Sequence, residues 1–372
     1  MAKDKLLIKT PSGKWWDVGL QLVEGCTPVS PACDHCWALA AAYMRRYNPN
    51  PKVAARYEGT VKYFNPSVES TVYAPKWTGQ VNLQWQDLDK IGRARTPKAY
   101  TFWTDLFHPD ISFDLGMLQP AESFIDEVLV KILTRPRHFY IICTKRPERA
   151  LEYFLSRQED IANWAGARDI LAHRLMLMTT VETQEWADRR IPLLLQIPGV
   201  LHGVSYEPAL GQVDFLPWLP YKWRCSKCGY RTNDFVGNCK GYCQDSTGNS
   251  CDAMPCPQCG KYHYWTGSMS GLDWLICGAE SGPHARPMHS DWPRQARDQA
   301  VAAGVPFFFK SWGEFIQCAE PQEVWNKGNG DFDTLPAHQC FKRVGRKAAG
   351  RLLDDREWNE VPHDLQYLLK EE

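Results

Sequence analysis

Residues 138–147 read HFYIICTKRP. An unbroken apolar run, rich in β-branched and aromatic residues, stops abruptly at charged residues and a proline. A longer amphipathic stretch follows. A run of this length without alternation fits a strand buried on both faces. The same design recurs in KAYTFWTDLF (98–107), LMLMTTVET (175–183), VLHGVSYEP (200–208), LDWLICGAES (272–281) and VPFFFKSWG (305–313). An earlier copy, VGLQLVEGC, occupies 18–26. Between these runs lie helix-like segments such as PAESFIDEVLVKILTR (120–135) and SDWPRQARDQAVAAG (290–304), the second opening on a Ser or Asp cap.

Strand alternating with helix predicts right-handed βαβ units and a parallel sheet. Seven or eight such units predict an α/β protein with a TIM-like (β/α) barrel, full or partial; a doubly wound sheet is the alternative. In either fold, chemistry is expected at the carboxyl ends of the strands. There the sequence places Asp105, Lys145, Arg146, Glu182, Glu207, Glu280 and Lys310. One charged residue after a strand is commonplace, but the repetition over successive strands marks a site.

The 372-residue chain carries 43 basic and 43 acidic side chains. Their balance excludes a global field that would draw it onto nucleic acid or an anionic membrane, so a polyanion must meet a local patch. MAKDKLLIKT, the first ten residues, has no signal-peptide core, and no apolar run nears the length of a membrane span. A cytoplasmic protein without a membrane partner is expected. In that reducing setting, 14 cysteines favour metal or cluster ligation over disulfides. Ten of them lie in two short segments; Cys143, Cys277, Cys318 and Cys340 read as small buried apolar side chains.

Glu207 and Glu280 are 73 residues apart, whereas the neighbouring intervals are 25 and 30. The excess reads as an insertion at 218–271, between barrel segments 1–217 and 272–320, with 321–372 as a C-terminal extension. Within it, Cys225 with Cys228 and Cys256 with Cys259 form two C-x2-C pairs, each followed by Gly. That is the paired-knuckle pattern of a zinc ribbon. So short a Gly-rich insert has too little apolar surface to fold without a staple. Cys239, Cys243 and Cys251 remain for a second metal, an auxiliary cluster or no ligand. The insert is either a scaffold or a basic, aromatic clamp for substrate or nucleic acid.

The other cysteine segment, GCTPVSPACDHCWA at 25–38, follows the first strand with Cys26, Cys33 and Cys36 spaced C-x6-C-x2-C. A structural zinc site takes four protein ligands, so a triad leaves one position open. A [4Fe-4S] cluster held by three cysteines likewise has one iron free for another ligand. A Cys triad on the loop after the first strand resembles the radical S-adenosylmethionine (radical SAM) superfamily. Within it, WTDLFH, TKRPER, TVETQEWADRRIP, SYEPALG, GAESGPHARPM and PFFFKSWGE are similar to a phage-associated family of uncharacterised function.

That resemblance implies a [4Fe-4S] cluster on Cys26, Cys33 and Cys36 with S-adenosyl-L-methionine on the open iron. It implies Asp105 with Thr104 at the methionine amino group, Lys145 or Arg146 at its carboxylate, and Glu182 at the ribose. Ser281 and Arg286 belong to a small-residue turn that can present N–H groups to a phosphate. Glu207, Glu280 and Lys310 are the candidates for substrate recognition or proton transfer. The expected reaction is a rearrangement or modification, with a modified nucleotide or DNA base as substrate and flavodoxin or ferredoxin as reductant. Phage encoding would place it in the host cytoplasm. The competing reading is a non-enzymatic zinc module that binds nucleic acid or protein; a hydrolase using Glu207 and Glu280 would leave the triad unexplained.

Overall fold

The computed structural model describes residues 13–64, 74–113, 122–221, 271–317 and 341–370, with five short strands between 223 and 266. Seven strands form one parallel sheet: β1 (Val18–Leu20), β2 (Ala99–Phe102), β3 (Phe139–Thr144), β4 (Leu175–Thr180), β5 (Leu201–Tyr206), β6 (Trp274–Cys277) and β7 (Phe307–Phe309). Their spatial order is their sequence order, and every pairing is parallel. A doubly wound sheet reverses its strand order at a switch point. This one never does, so it has the winding of a half-barrel.

Helices follow most of the strands. Those of two turns or more are α1 (Trp37–Arg46), α2 (Phe124–Leu133), α3 (Pro147–Ser156), α4 (Ala167–Arg174), α5 (Gln184–Leu194), α6 (Asp291–Ala302) and α7 (His363–Lys370). Ser123 caps α2, its hydroxyl accepting the Asp126 N–H at 3.3 Å. The cap expected at the start of α6 is built differently. Ser290 makes no side-chain cap bond, and the Asp291 N–H donates instead to His289 Nδ1 at 3.0 Å.

The strands are apolar throughout because each face meets a separate core. Tyr140 and Ile142 of β3, Leu175 and Leu177 of β4, and Phe307 and Phe309 of β7 pack with the helices. The alternate residues Phe139, Ile141, Met176, Met178, Trp274 and Phe308 fill the concave side. Val361 and Leu365 complete that inner core, so the described part of the C-terminal segment is an integral layer of the barrel. It is tied by Trp274 Nε1 to the Glu360 carbonyl at 2.9 Å and by Phe309 N to the Trp358 carbonyl at 2.8 Å.

VGLQLVEGC is two strands rather than one. Val18–Leu20 joins the large sheet, while Val23–Glu24 pairs antiparallel with Asn82–Leu83. Gly19 permits this entry. A Cβ there would stand 2.2 Å from the Trp103 ring nitrogen. In the insertion, Trp223–Cys225 pairs antiparallel with Arg231–Thr232 and Trp265–Thr266. A second hairpin sets Cys243 opposite Cys251. Cys228, Cys239, Cys256, Cys259, Cys318 and Cys340 lie outside the described residues. Among the described residues no helix is long and apolar enough to cross a membrane.

Candidate functional site at the carboxyl ends of the strands

The loop after β1 carries Cys26, Cys33 and Cys36, all free and half-buried. Two ion pairs hold it, one on each side. On the first side, Asp105 follows β2 and Arg146 follows β3, strands that lie next to each other. Arg146 Nη1 donates to Asp105 Oδ2 at 2.7 Å and Nη2 to the Thr27 carbonyl at 2.8 Å. The remaining lone pairs of Asp105 accept from Thr144 Oγ1 (2.6 Å), Lys145 N (3.2 Å) and Phe107 N (3.1 Å). A carboxylate offers about four acceptor positions. All are used, so Asp105 is a brace for the loop. Thr104 donates to the Val23 carbonyl, and Thr27 Oγ1 lies 2.8 Å from His108 Nε2.

On the second side, Glu280 follows β6 and is bound by Arg286 through Nε at 2.9 Å, through its backbone N–H at 2.8 Å and through Nη2. The same Nη2 donates to the Pro31 carbonyl at 2.8 Å, and Asp34 lies 3.7 Å from Nη1. His35 turns its ring to Glu280, with Nδ1 3.4 Å from Oε2. Arg286 thus fixes the stretch holding Cys33, as Arg146 fixes that holding Cys26. Ser281, next in the turn, is exposed.

Lys145, which follows β3, lies within electrostatic reach of the same loop. Among the described residues, Lys145 makes no side-chain hydrogen bond or ion pair. Burial works against its charge, but Cys33, Cys143, Cys36 and Glu182 outweigh it and hold its pKa above the ordinary lysine value. Cys26 is affected oppositely. Burial and the Asp105 charge push its thiol up to about 11, against the pull of Arg146, with Cys36 and Cys33 adding to the rise. The three thiols are therefore within electrostatic reach of one another. They do not enclose a single ion: among the described residues no three His, Cys, Asp or Glu side chains are grouped to hold one.

Glu182, after β4, is fully buried. Its Oε2 accepts from Arg190 Nη1 at 3.1 Å, but Oε1 and Arg190 Nη2 have no hydrogen-bond partner among the described residues. Burial depresses the Arg190 pKa in spite of this carboxylate, and the guanidinium also lies over the Trp186 ring, 4.2 Å from its centre. Orphaned buried polar atoms carry a desolvation cost, and a ligand or water supplying the missing bond removes it.

Lys310, after β7, reaches across β6 to Glu207, after β5. Nζ lies 2.7 Å from Oε1, an ion contact without hydrogen-bond alignment, while Ser205 donates to Oε2 at 3.1 Å. Gly278 makes room for the pair. A Cβ on it would stand 3.1 Å from Glu207 Oε1 and 3.2 Å from Lys310 Cβ. The charged residues that follow the strands form the ion pairs Asp105–Arg146, Glu182–Arg190, Glu280–Arg286 and Glu207–Lys310. Sequence reasoning overlooked Thr27, Thr144 and His108, whose side chains act through contacts far apart in the chain, and Arg190, which reaches back along the chain to Glu182.

This geometry defines a class: a parallel α/β half-barrel whose mouth carries a braced three-cysteine loop. The chain matches, over residues 12–362, the model of a family described as a protein of unknown function, DUF5131. It belongs to that family. No curated protein and no solved structure matches it.

Proposed function

We propose that the protein is a radical SAM enzyme in which Cys26, Cys33 and Cys36 hold a [4Fe-4S] cluster and the mouth binds S-adenosylmethionine. The observation carrying this reading is Lys145, which has no side-chain partner among the described residues and lies within electrostatic reach of Cys33 and Cys36, whose loop is fixed from both sides at the strand ends. When bound, such a cluster would supply the electron for reductive cleavage of S-adenosylmethionine, the chemistry expected to activate a substrate carbon.

The protein's part is orientation and exclusion of water. Lys145 is free to meet the methionine carboxylate, whereas Arg146 is committed to Asp105 and Thr27. Glu182 Oε1, buried and without a partner among the described residues, is the proposed acceptor for a ribose hydroxyl. Glu207 and Lys310 are in contact and can exchange a proton at the substrate side. A modified nucleotide or DNA base is the proposed substrate and a flavodoxin- or ferredoxin-type protein the reductant, within a reducing cytoplasm. The insertion is proposed to bind zinc through Cys225, Cys228, Cys256 and Cys259.

Anaerobic purification followed by iron, sulfide and zinc assays tests the metals. Incubating the reduced protein with S-adenosylmethionine and measuring 5′-deoxyadenosine tests the reaction. Iron and sulfide lost in Cys26→Ala, with zinc retained, are expected. Zinc alone, unchanged in Cys26→Ala, would reject the proposal in favour of a non-enzymatic zinc module.

A further inference from the structure

Helix α1, which begins directly after Cys36, buries only Ala42 in full. Trp37, Ala40, Met44 and Tyr47 recur at helical spacing along one exposed stripe. Trp37 is 55%, Met44 70% and Tyr47 66% exposed, unusual for apolar side chains of this size. Beside the helix, an antiparallel hairpin of Val61–Phe64 and Ala74–Trp77 adds Tyr63, 47% exposed. The Tyr43 ring lies 4.9 Å from Tyr63 and 5.0 Å from Tyr47, centre to centre. At the other end of the helix, Trp37 meets Trp103 edge-on at 5.8 Å, at the mouth.

The charge here is one-sided. Residues 37–64 and 74–77 contain six Arg and Lys but a single acid, Glu58, in a chain whose net charge is zero. Arg45 and Arg56 are bonded inward, to Gln21 and Tyr57 and to Glu24 and Asp87, and Arg46 lies 3.6 Å from Glu58. Lys52, Lys62 and Lys76 are exposed. Aromatic faces among cations form the platform on which single-stranded bases stack while the backbone follows the charge. Duplex bases present no free faces for stacking.

We propose that α1 and this hairpin bind single-stranded nucleic acid and lead it toward the cysteine loop. The helix supplies a track about 15 Å long from Tyr47 to the mouth. This rests on the proposed function only for what the strand meets there; the binding itself needs no cofactor.

The test is fluorescence anisotropy of the full chain, without cofactor, using a labelled 20-nucleotide thymidine strand over a series of salt concentrations. Tyr47→Ala and Tyr63→Ala should each weaken binding about tenfold, while Tyr47→Phe retains it. Lys62→Ala combined with Lys76→Ala should make the slope of log K against log salt shallower by about 1.4. Unchanged urea midpoints show that the variants fold. No binding by the wild type, equal binding of a duplex, or Tyr47→Ala and Tyr63→Ala variants indistinguishable from wild type would overturn the proposal. So would a dimer at micromolar concentration that Met44→Glu dissolves, because a second copy would then cover the stripe. Should binding fail, the radical reaction stands with a free nucleotide as substrate; should 5′-deoxyadenosine fail to form, the strand-binding result stands.

Discussion

Asp105→Asn isolates the brace on the cysteine loop with almost no change in shape. The carboxylate accepts four hydrogen bonds, two on each oxygen, and both its side chain and that of Arg146 are nearly buried, at 9% and 5% exposure. An asparagine has one acceptor oxygen and one donor NH2. With its oxygen toward Arg146 and Lys145 N, the NH2 confronts the Phe107 N–H and the Thr144 hydroxyl. Thr144 can rotate; Phe107 N–H cannot, and a buried donor left unpaired costs about 1–3 kcal/mol. Replacing a charged acceptor by a neutral one for Arg146 costs about 1 kcal/mol more, since charge-assisted bonds are roughly twice as strong. The expected loss is about 2–4 kcal/mol. With a urea m-value of about 3 kcal/mol per M, the midpoint falls by about 1 M at unchanged slope. Iron retained after anaerobic reconstitution should fall too, because Arg146 also holds the Thr27 carbonyl beside Cys26. Asp110→Asn, whose side chain is 60% exposed, is the control and should shift stability by less than about 0.5 kcal/mol. A midpoint for Asp105→Asn no lower than the control's would refute the brace.

Arg286→Ala should free the far side of the loop, lowering iron retention while the Asp105–Arg146 side keeps its stability contribution; retention equal to wild type would contradict this. Gly19→Ala pushes a methyl into Trp103 and should destabilise by about 1–3 kcal/mol with a shift in tryptophan emission, both read in one urea titration. His138 is buried, its Nε2 3.0 Å from the Gly92 carbonyl and its Nδ1 accepting from Lys98 N, and burial depresses its pKa below 6.5. The unfolded chain therefore takes up a proton below about pH 6.5 that the folded one refuses, so this stability is present above that pH and lost as pH falls, by up to about 1.4 kcal/mol per unit. His138→Gln should flatten that slope between pH 7 and 5.5; equal slopes in urea midpoints would show that the ring protonates in place. A chelator added to the purified protein should release zinc and expose the insertion to protease while the midpoint of the barrel holds; protection unchanged after zinc loss would remove the staple argument.

The barrel strands were legible because burial on both faces leaves uninterrupted apolar runs, and β2 to β7 each coincide with one such run. VGLQLVEGC misled because its two halves pair with different partners, a choice made by tertiary contacts with Tyr100 and Leu83 rather than by composition. The C-terminal layer gave little periodic signal: Val361 and Leu365 are buried by the sheet they close, among residues that read as polar. The mouth residues could be read one by one, yet their pairing could not, since Arg286 and Pro31 meet across 255 positions. The order of the sheet supplies what was missing. With strands laid side by side in chain sequence, the ends of β2 and β3 are neighbours, which makes Asp105 and Arg146 partners. Glu207 and Lys310 stand two strands apart and can touch only over the end of β6. The residue there must carry no side chain, and Gly278 fills that place. In LDWLICGAES the glycine that ends the strand was thus the sequence's mark of an ion pair formed by residues 71 positions before it and 32 after.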